Sequence, residues 1–363
     1  MLIINVAIIF EKTTYLLTMK HKGLFIIGIL VIIFFSCEDE KERIEITTPS
    51  SQTTIQLDSL SIEESTEKET PLSAHDIILT KDFLYDQYTL EDNYPYKDTL
   101  RSFKWAIIKQ CLAFIENMQE SDSTKWVVLQ NYKNINAQPP LVKKYIYNKK
   151  SKSISDTLGV ARSQSIPLYL PNDTITPEIY AYDGSLARLD KKYGNFQQIK
   201  PILNKGLWLT PSKYLKELGE DVYFHHVIFI DRLDQNITTL EHVNRGEWKI
   251  RSMNPATTGL NKPPFAQETP LGIFLLQQKK SRMNFLKDGK NELAGYAPFA
   301  SRFTGGAHIH GVPVNLPRTE MIEYSWTLGT TPRSHMCVRN ATSHAKFIYD
   351  WAPTWRTLII VIE

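Results

Sequence analysis

Apolar positions along this chain follow three rhythms, and each predicts a different kind of structure. The first is unbroken: residues 23–35 are almost wholly apolar, with Lys20, His21 and Lys22 before them and Ser36 and Cys37 after. In the second, Phe103, Ile107, Cys111, Phe114, Ile115 and Met118 recur at three- and four-residue spacing through residues 100–118. That spacing predicts an amphipathic helix with Asp98 or Thr99 as its cap and Cys111 on its buried face, where a thiol behaves as a small hydrophobe. The third rhythm, from residue 153 onward, is the short β-type run closed by turn residues. Its runs are 159–162, 166–169, 178–182, 185–189, 196–199 and 206–209, and Asp183-Gly184 between two of them is a hairpin signal. Residues 219–363 are again strand-rich, with a first strand expected over 222–231, a turn at Asp234-Gln235-Asn236 and a later strand over 246–253.

The unbroken run is too short for a comfortable bilayer span of ~20 residues and has the length of a signal-peptide core. Ser36-Cys37 after it resembles the lipobox of bacterial lipoproteins, which implies that Cys37 is lipidated and becomes the mature N-terminus. Met19 is a second plausible start, which makes residues 1–36 the leader. An uncleaved anchor helix is the alternative, and both readings export the rest of the chain. Residues 37–74 open on Glu38-Asp39-Glu40 and continue rich in Ser, Thr and Glu, without an aromatic residue. Such a stretch cannot offset its chain entropy by burial and reads as a tether.

Composition narrows the function. The chain has 363 residues, 42% hydrophobic and 22% charged, with a formal net charge of +3. A balance this even excludes a nucleic-acid binder that relies on a strongly basic surface, and no glycine run cradles a phosphate. The chain holds 3 cysteines, too few for a disulfide framework.

The candidate chemistry lies near the C-terminus. His308 and His310 alternate onto one face of a strand in Gly306-Ala307-His308-Ile309-His310-Gly311, and Ser334-His335-Met336-Cys337-Val338-Arg339-Asn340 puts a cysteine between a histidine and an arginine. A nucleophilic cysteine needs a base or cation beside it to form its thiolate, and an arginine offers a forked donor to a carboxylate. The same residues, His308, His310, His335 and Cys337, are also of zinc-binding type.

Ser334-His335-Met336-Cys337-Val338-Arg339 resembles the Ser-His-Gly-Cys-x-Arg signature of the L,D-transpeptidase (YkuD-type) catalytic domain. His310-Gly311 resembles that family's upstream histidine and its neighbour, and Thr269-Pro270-Leu271-Gly272-Ile273-Phe274 its Thr-Pro-x-Gly-x-Phe segment. The resemblance implies a mainly β chain whose residues 219–363 form a β-sandwich catalytic domain. It also implies Cys337 as nucleophile, His310 as base with the Gly311 carbonyl on its other ring nitrogen, and His335 shaping the site. Arg339 would bind a stem-peptide carboxylate, with Ser334, Asn340, Met336 and His308 lining the substrate site. The substrate would be a peptidoglycan tetrapeptide stem and the product a 3→3 cross-link, or a hydrolysed stem in an L,D-carboxypeptidase, with no cofactor or metal and no nucleic-acid partner. Met336 replaces the family's glycine, which suggests backbone strain and crowding of the oxyanion hole or a catalytically dead wall-binding protein. Residues 311–333, with Glu320, Tyr324 and Trp326, are long enough for a lid. Thr210-Pro211-Ser212-Lys213-Tyr214 resembles the turn that ends many SH3 barrels, so residues 151–218 read as an SH3-like barrel and residues 75–150 as a small helical region.

Overall fold

The computed structural model describes residues 70–120 and 125–363, so the leader, Cys37 and the tether through residue 69 lie outside the described residues. In chain order the first elements are strand β1 (Ile78–Lys81), a hairpin of β2 (Asn93–Tyr96) and β3 (Thr99–Ser102), and helix α1 (Trp105–Gln119). The helix begins at Trp105, not near Leu100 as its rhythm predicts. A tight turn at Lys97-Asp98, with Lys97 at φ 53° and Thr99 Oγ1 donating to the Tyr96 carbonyl, folds residues 99–102 back as a strand. Leu100 is left 70% exposed. Once started, α1 buries Ile108, Cys111, Leu112, Ile115 and Met118.

The next stretch gives β4 (Lys125–Leu129), the hairpins β5 (Tyr145–Asn148) with β6 (Ser153–Asp156) and β7 (Ser165–Leu168) with β8 (Ile179–Tyr182), then β9 (Leu186–Tyr193), β10 (Phe196–Pro201), β11 (Trp208–Pro211) and β12 (Leu215–Glu217). Five of these form one sheet in the order β11-β10-β9-β4-β12. The expected division at residues 150 and 151 cuts through this sheet, because β4 pairs antiparallel with both β9 and β12. Its run Trp126-Val127-Val128-Leu129 is buried, too short to stand out in a segment dominated by a helical rhythm. Asp183-Gly184 closes no hairpin: β8 pairs with β7 and β9 with β4 and β10, so the chain passes between sheets there.

The C-terminal half supplies β13 (His226–Asp231), β14 (Asn236–Asn244), β15 (Glu247–Pro255), β16 (Gly272–Leu275), β17 (Gln278–Leu286), β18 (Leu293–Thr304), β19 (Ala307–His310), β20 (Val314–Asn315), β21 (Val338–Arg339), helix α2 (Thr342–Trp351) and β22 (Thr357–Ile362). A six-stranded sheet runs β1-β15-β14-β13-β22-β16, and a second sheet runs β17-β18-β19-β21. Side-chain alternation decides the layering. Val227 and Phe229 of β13, with Leu358 and Ile360 of β22, pack with α1. Their neighbours Ile228, Ile230, Ile359 and Val361 face the opposite way, into a core shared with Phe303, Ala307, Ile309, Val338 and Ile348. The six-stranded sheet is therefore buried on both faces, between α1 and the second sheet. β1 extends it by pairing parallel to β15, which makes the N-terminal stretch part of this fold and not a separate helical region. The fold is mainly β, as the motifs implied. Among the described residues no helix is long and apolar enough to cross a membrane.

Candidate active site

The loop from Ser334 to Cys337 is pinned along its length. The Ser334 N–H donates to the Thr258 carbonyl at 3.1 Å, the Ser334 carbonyl accepts from the Leu260 N–H at 2.9 Å, and Ser334 Oγ donates to the Cys337 carbonyl. Thr269 Oγ1 accepts the Gly259 N–H at 2.9 Å and donates to the Met336 carbonyl at 2.9 Å. This tie gives the threonine of the Thr-Pro-x-Gly segment its task. Gly259 is required for it: a Cβ there would lie 2.3 Å from the Gln267 carbonyl oxygen and 2.7 Å from Met336 Cα. Met336 sits at φ 86°, the left-handed conformation that favours glycine. Its side chain packs against the core between the sheets and borders a neighbouring groove of about 770 Å³. Met336 is not among the residues that line the cleft around Cys337.

After the loop, β21 runs parallel to β19, with Val338 opposite Ile309 and Arg339 opposite His310. Ala307 and Ile309 fill the inter-sheet core, which turns His308 and His310 to the other face. Cys337, His310, Ser334, His335 and Arg339 line one cleft of about 520 Å³. Its far wall is the β17–β18 hairpin with Met283, Phe285 and Asp288. Residues 311–333, expected as a lid, instead pack on the start of α2, where the Thr342 N–H donates to the Glu323 carbonyl at 2.8 Å. Part of that segment walls a separate cavity of about 370 Å³, which Arg339 also reaches.

His310 is 4% exposed, and its Nδ1–H donates to the Gly311 carbonyl at 2.6 Å. That bond fixes the tautomer and leaves the Nε2 lone pair as the ring's proton acceptor. Burial pushes the imidazole down to about 3, so it is neutral at physiological pH. Gly311 admits no side chain, since a Cβ would meet Thr342 Oγ1 at 2.7 Å and Pro298 Cγ at 2.9 Å. Cys337 is half-buried, and its S–H donates to the Gly306 carbonyl at 3.6 Å. Burial raises the thiol above its ordinary value, opposed by a backbone hydrogen bond from His308 and by the Arg339 charge. The resting pair is thus a neutral thiol and a neutral imidazole.

His335 Nε2 lies 3.1 Å from Asp288 Oδ2, a partner that nothing near the motif signals in sequence. His308, expected at the substrate, is 2% exposed; its Nδ1–H donates to the Gly306 carbonyl at 2.9 Å, and burial pushes it down to about 4. It is not among the residues that line the cleft. Asn340, also expected there, is fully buried. Its side-chain amide donates to His344 Nδ1 at 3.2 Å and its backbone N–H to the His310 carbonyl at 2.9 Å, so it braces β19 from below and contacts no cleft. Among the described residues no three His, Cys, Asp or Glu side chains converge as a metal-binding group, because each histidine of the candidate zinc set is turned to its own partner.

A family model described as the L,D-transpeptidase catalytic domain, YkuD, matches residues 225–361. Solved structures similar to the chain include an L,D-transpeptidase from Mycobacterium smegmatis, at 19% identity over 43% of this chain and 73% of that one, with a TM-score of 0.31. Another is L,D-transpeptidase 3 from Mycobacterium tuberculosis in complex with a faropenem-derived adduct, at 18% identity over 50% of this chain and 77% of that one, with a TM-score of 0.30. No curated protein matches the chain. On the family match and its ordered motifs, residues 225–361 form an L,D-transpeptidase catalytic domain of the YkuD type.

Proposed function

We propose that this protein is a peptidoglycan L,D-transpeptidase with Cys337 as nucleophile and His310 as base. The observation that carries the reading is the pairing in one cleft of a half-buried thiol with an imidazole whose Nδ1–H is committed to the Gly311 carbonyl. Cys337 Sγ attacks the carbonyl carbon between the third residue and the terminal D-alanine of a tetrapeptide stem, while its proton passes to His310 Nε2. The imidazolium returns that proton to the departing amine, D-alanine leaves, and a thioester remains on Cys337. An acceptor amine then attacks the thioester carbonyl, gives its proton to His310, and the thiol is restored. Because both groups rest neutral, thiol deprotonation accompanies attack. Arg339 meets a carboxylate of the stem with its planar fork, and His335, held toward Asp288, borders the scissile bond.

Upstream, Cys37 would carry the lipid that holds the exported chain at a membrane facing the periplasm, with the following segment as tether. The order β11-β10-β9-β4-β12, with a single 3-10 turn at Ser212–Tyr214 between its last two strands, supports an SH3-like reading of the five-stranded sheet.

Incubation with a disaccharide-tetrapeptide tests the activity. Release of D-alanine with a 3→3 dimer as product is expected, and none from Cys337→Ala. Tripeptide without dimer would make the protein a carboxypeptidase, and no release from the wild type would refute the reading.

A further inference from the structure

Asp183-Gly184 delivers a carboxylate into the junction between the five-stranded sheet and the sheet that carries the cleft. Asp183 is 1% exposed. Its Oδ2 accepts from Arg302 Nη1 at 2.6 Å, from Gln277 Nε2 at 3.0 Å and from the Gly305 N–H at 3.2 Å. Its Oδ1 accepts the Asn131 N–H at 2.8 Å. Four donors converge on one side chain, which an ionised carboxylate alone can satisfy. The approach is close enough that a Cβ on Gly184 would lie 1.9 Å from the Phe303 carbonyl oxygen. Arg302 is held from its other side by the Tyr132 ring, 4.4 Å from its guanidinium.

The Gly305 N–H that Asp183 captures belongs to the turn between β18 and β19. The next residue of that turn, Gly306, presents the carbonyl that accepts the Cys337 S–H and the His308 Nδ1–H. Across the same strands Arg302 pairs with His308. A continuous path therefore runs from the Asp183 carboxylate through one turn to Cys337 Sγ.

We propose that Asp183 is a positioning residue for Cys337: it fixes the Gly305-Gly306 turn so that the Gly306 carbonyl holds the thiol toward the cleft. The sheet of residues 125–217 is then a working part of the site and not only an appended module. Asp183 lies outside the matched residues 225–361, so this support comes from how the two sheets are joined. The proposal rests on the reading of Cys337 as the acylated residue.

Two reactions of the full chain separate positioning from simple stabilisation: alkylation of Cys337 by iodoacetamide across about pH 6 to 10, located by peptide mapping, and D-alanine release from disaccharide-tetrapeptide. The titratable and charged groups around the thiol are His308, His310, His335, Arg339, Asp288 and Lys287, and none is altered. In Asp183→Asn the Gly306 carbonyl is freed, the neutral thiol loses its acceptor, and the alkylation midpoint moves to lower pH. Cys337 then reacts faster with iodoacetamide near neutral pH, while kcat for D-alanine release falls about tenfold or more with KM little changed. The Asp183→Asn, Arg302→Gln double variant leaves no lone buried charge and keeps the test open where the single variant does not fold; the same opposed changes are expected. A folded variant with the wild-type midpoint and kcat, or one in which both reactions slow together, would overturn the proposal. Absence of D-alanine release from the wild type would instead fail the functional reading, with the alkylation midpoints still deciding on Asp183.

Discussion

Acidification should act first on three buried imidazoles. His308, His310 and His344 are 2%, 4% and 0% exposed, and burial holds them down to about 4, about 3 and about 3. In the unfolded chain a histidine takes up its proton near ~6.5. Between that value and the folded values the unfolded state binds more protons, so stability is full above ~6.5 and is lost as pH falls through the window. Each imidazole contributes about 1.4 kcal/mol per pH unit there. Asp231 opposes them: burial raises its carboxyl to about 6, so the folded state takes up that proton first and gains from it. Three groups against one leave a net loss of roughly 6 kcal/mol between about pH 6.5 and 4.5, comparable with the whole stability of an ordinary domain, ~5–15 kcal/mol. Urea unfolding followed by tryptophan fluorescence, at several pH values, measures the slope for the wild type and for His344→Gln. The variant starts less stable, because it loses the bond from His344 Nε2 to Ser252 Oγ at 2.9 Å and ring packing against Tyr85. Below ~6.5 it should lose about 1.4 kcal/mol less per pH unit than the wild type. Parallel curves for the two proteins would show that His344 does not take up its proton on unfolding in this window.

Other substitutions test the geometry of the loop. Gly259→Ala forces a Cβ against the Gln267 carbonyl and the Met336 backbone; it should cost about 1–3 kcal/mol in unfolding experiments and slow D-alanine release on the order of 100-fold by shifting Cys337. Met336→Gly removes left-handed strain of about 1–2 kcal/mol, against which stand unfolded-chain freedom of about 0.5–1 kcal/mol and the lost packing of its partly buried side chain on the inter-sheet core, about 1 kcal/mol, so stability should move by no more than about 1 kcal/mol. Its acylation rate should stay within a few-fold of wild type, since the side chain borders the other groove; a tenfold change would show that it shapes the cleft. Arg339→Lys keeps the charge and loses the fork, which should raise KM for the stem peptide about tenfold with kcat nearly unchanged; a fall in kcat at constant KM would contradict its assignment to ground-state binding.

Sequence made local geometry legible where a residue's type and its neighbours decide it. His310-Gly311 acts locally, through a bond between adjacent residues, and Met336 at a glycine position foretells its φ of 86°. Alternation in Ile228–Ile230 and Leu358–Ile362 likewise encodes a sheet buried on both faces. What sequence hid depends on long-range pairing. β4 carries four buried residues in a segment with a helical rhythm, and only its partners β9 and β12 define it. Asn340 stands three residues past the cysteine, but strand alternation turns it inward to His344. Asp288 meets His335 because a hairpin bends over the cleft. Asp183 looks like an ordinary turn residue until Arg302, Gln277 and Gly305 arrive from another sheet.

Cys337, and not Cys111, is expected to form the acyl-enzyme. Cys111 is 3% exposed in the core under α1, and burial pushes its thiol up to about 12, so it is inert in the folded protein. Intact-mass spectrometry after incubation with a carbapenem is the most direct measurement. One acyl adduct on the wild type, mapped to Cys337, retained in Cys111→Ala and absent from Cys337→Ala, is the predicted result. An unmodified wild-type protein, or an adduct that survives Cys337→Ala, would contradict it.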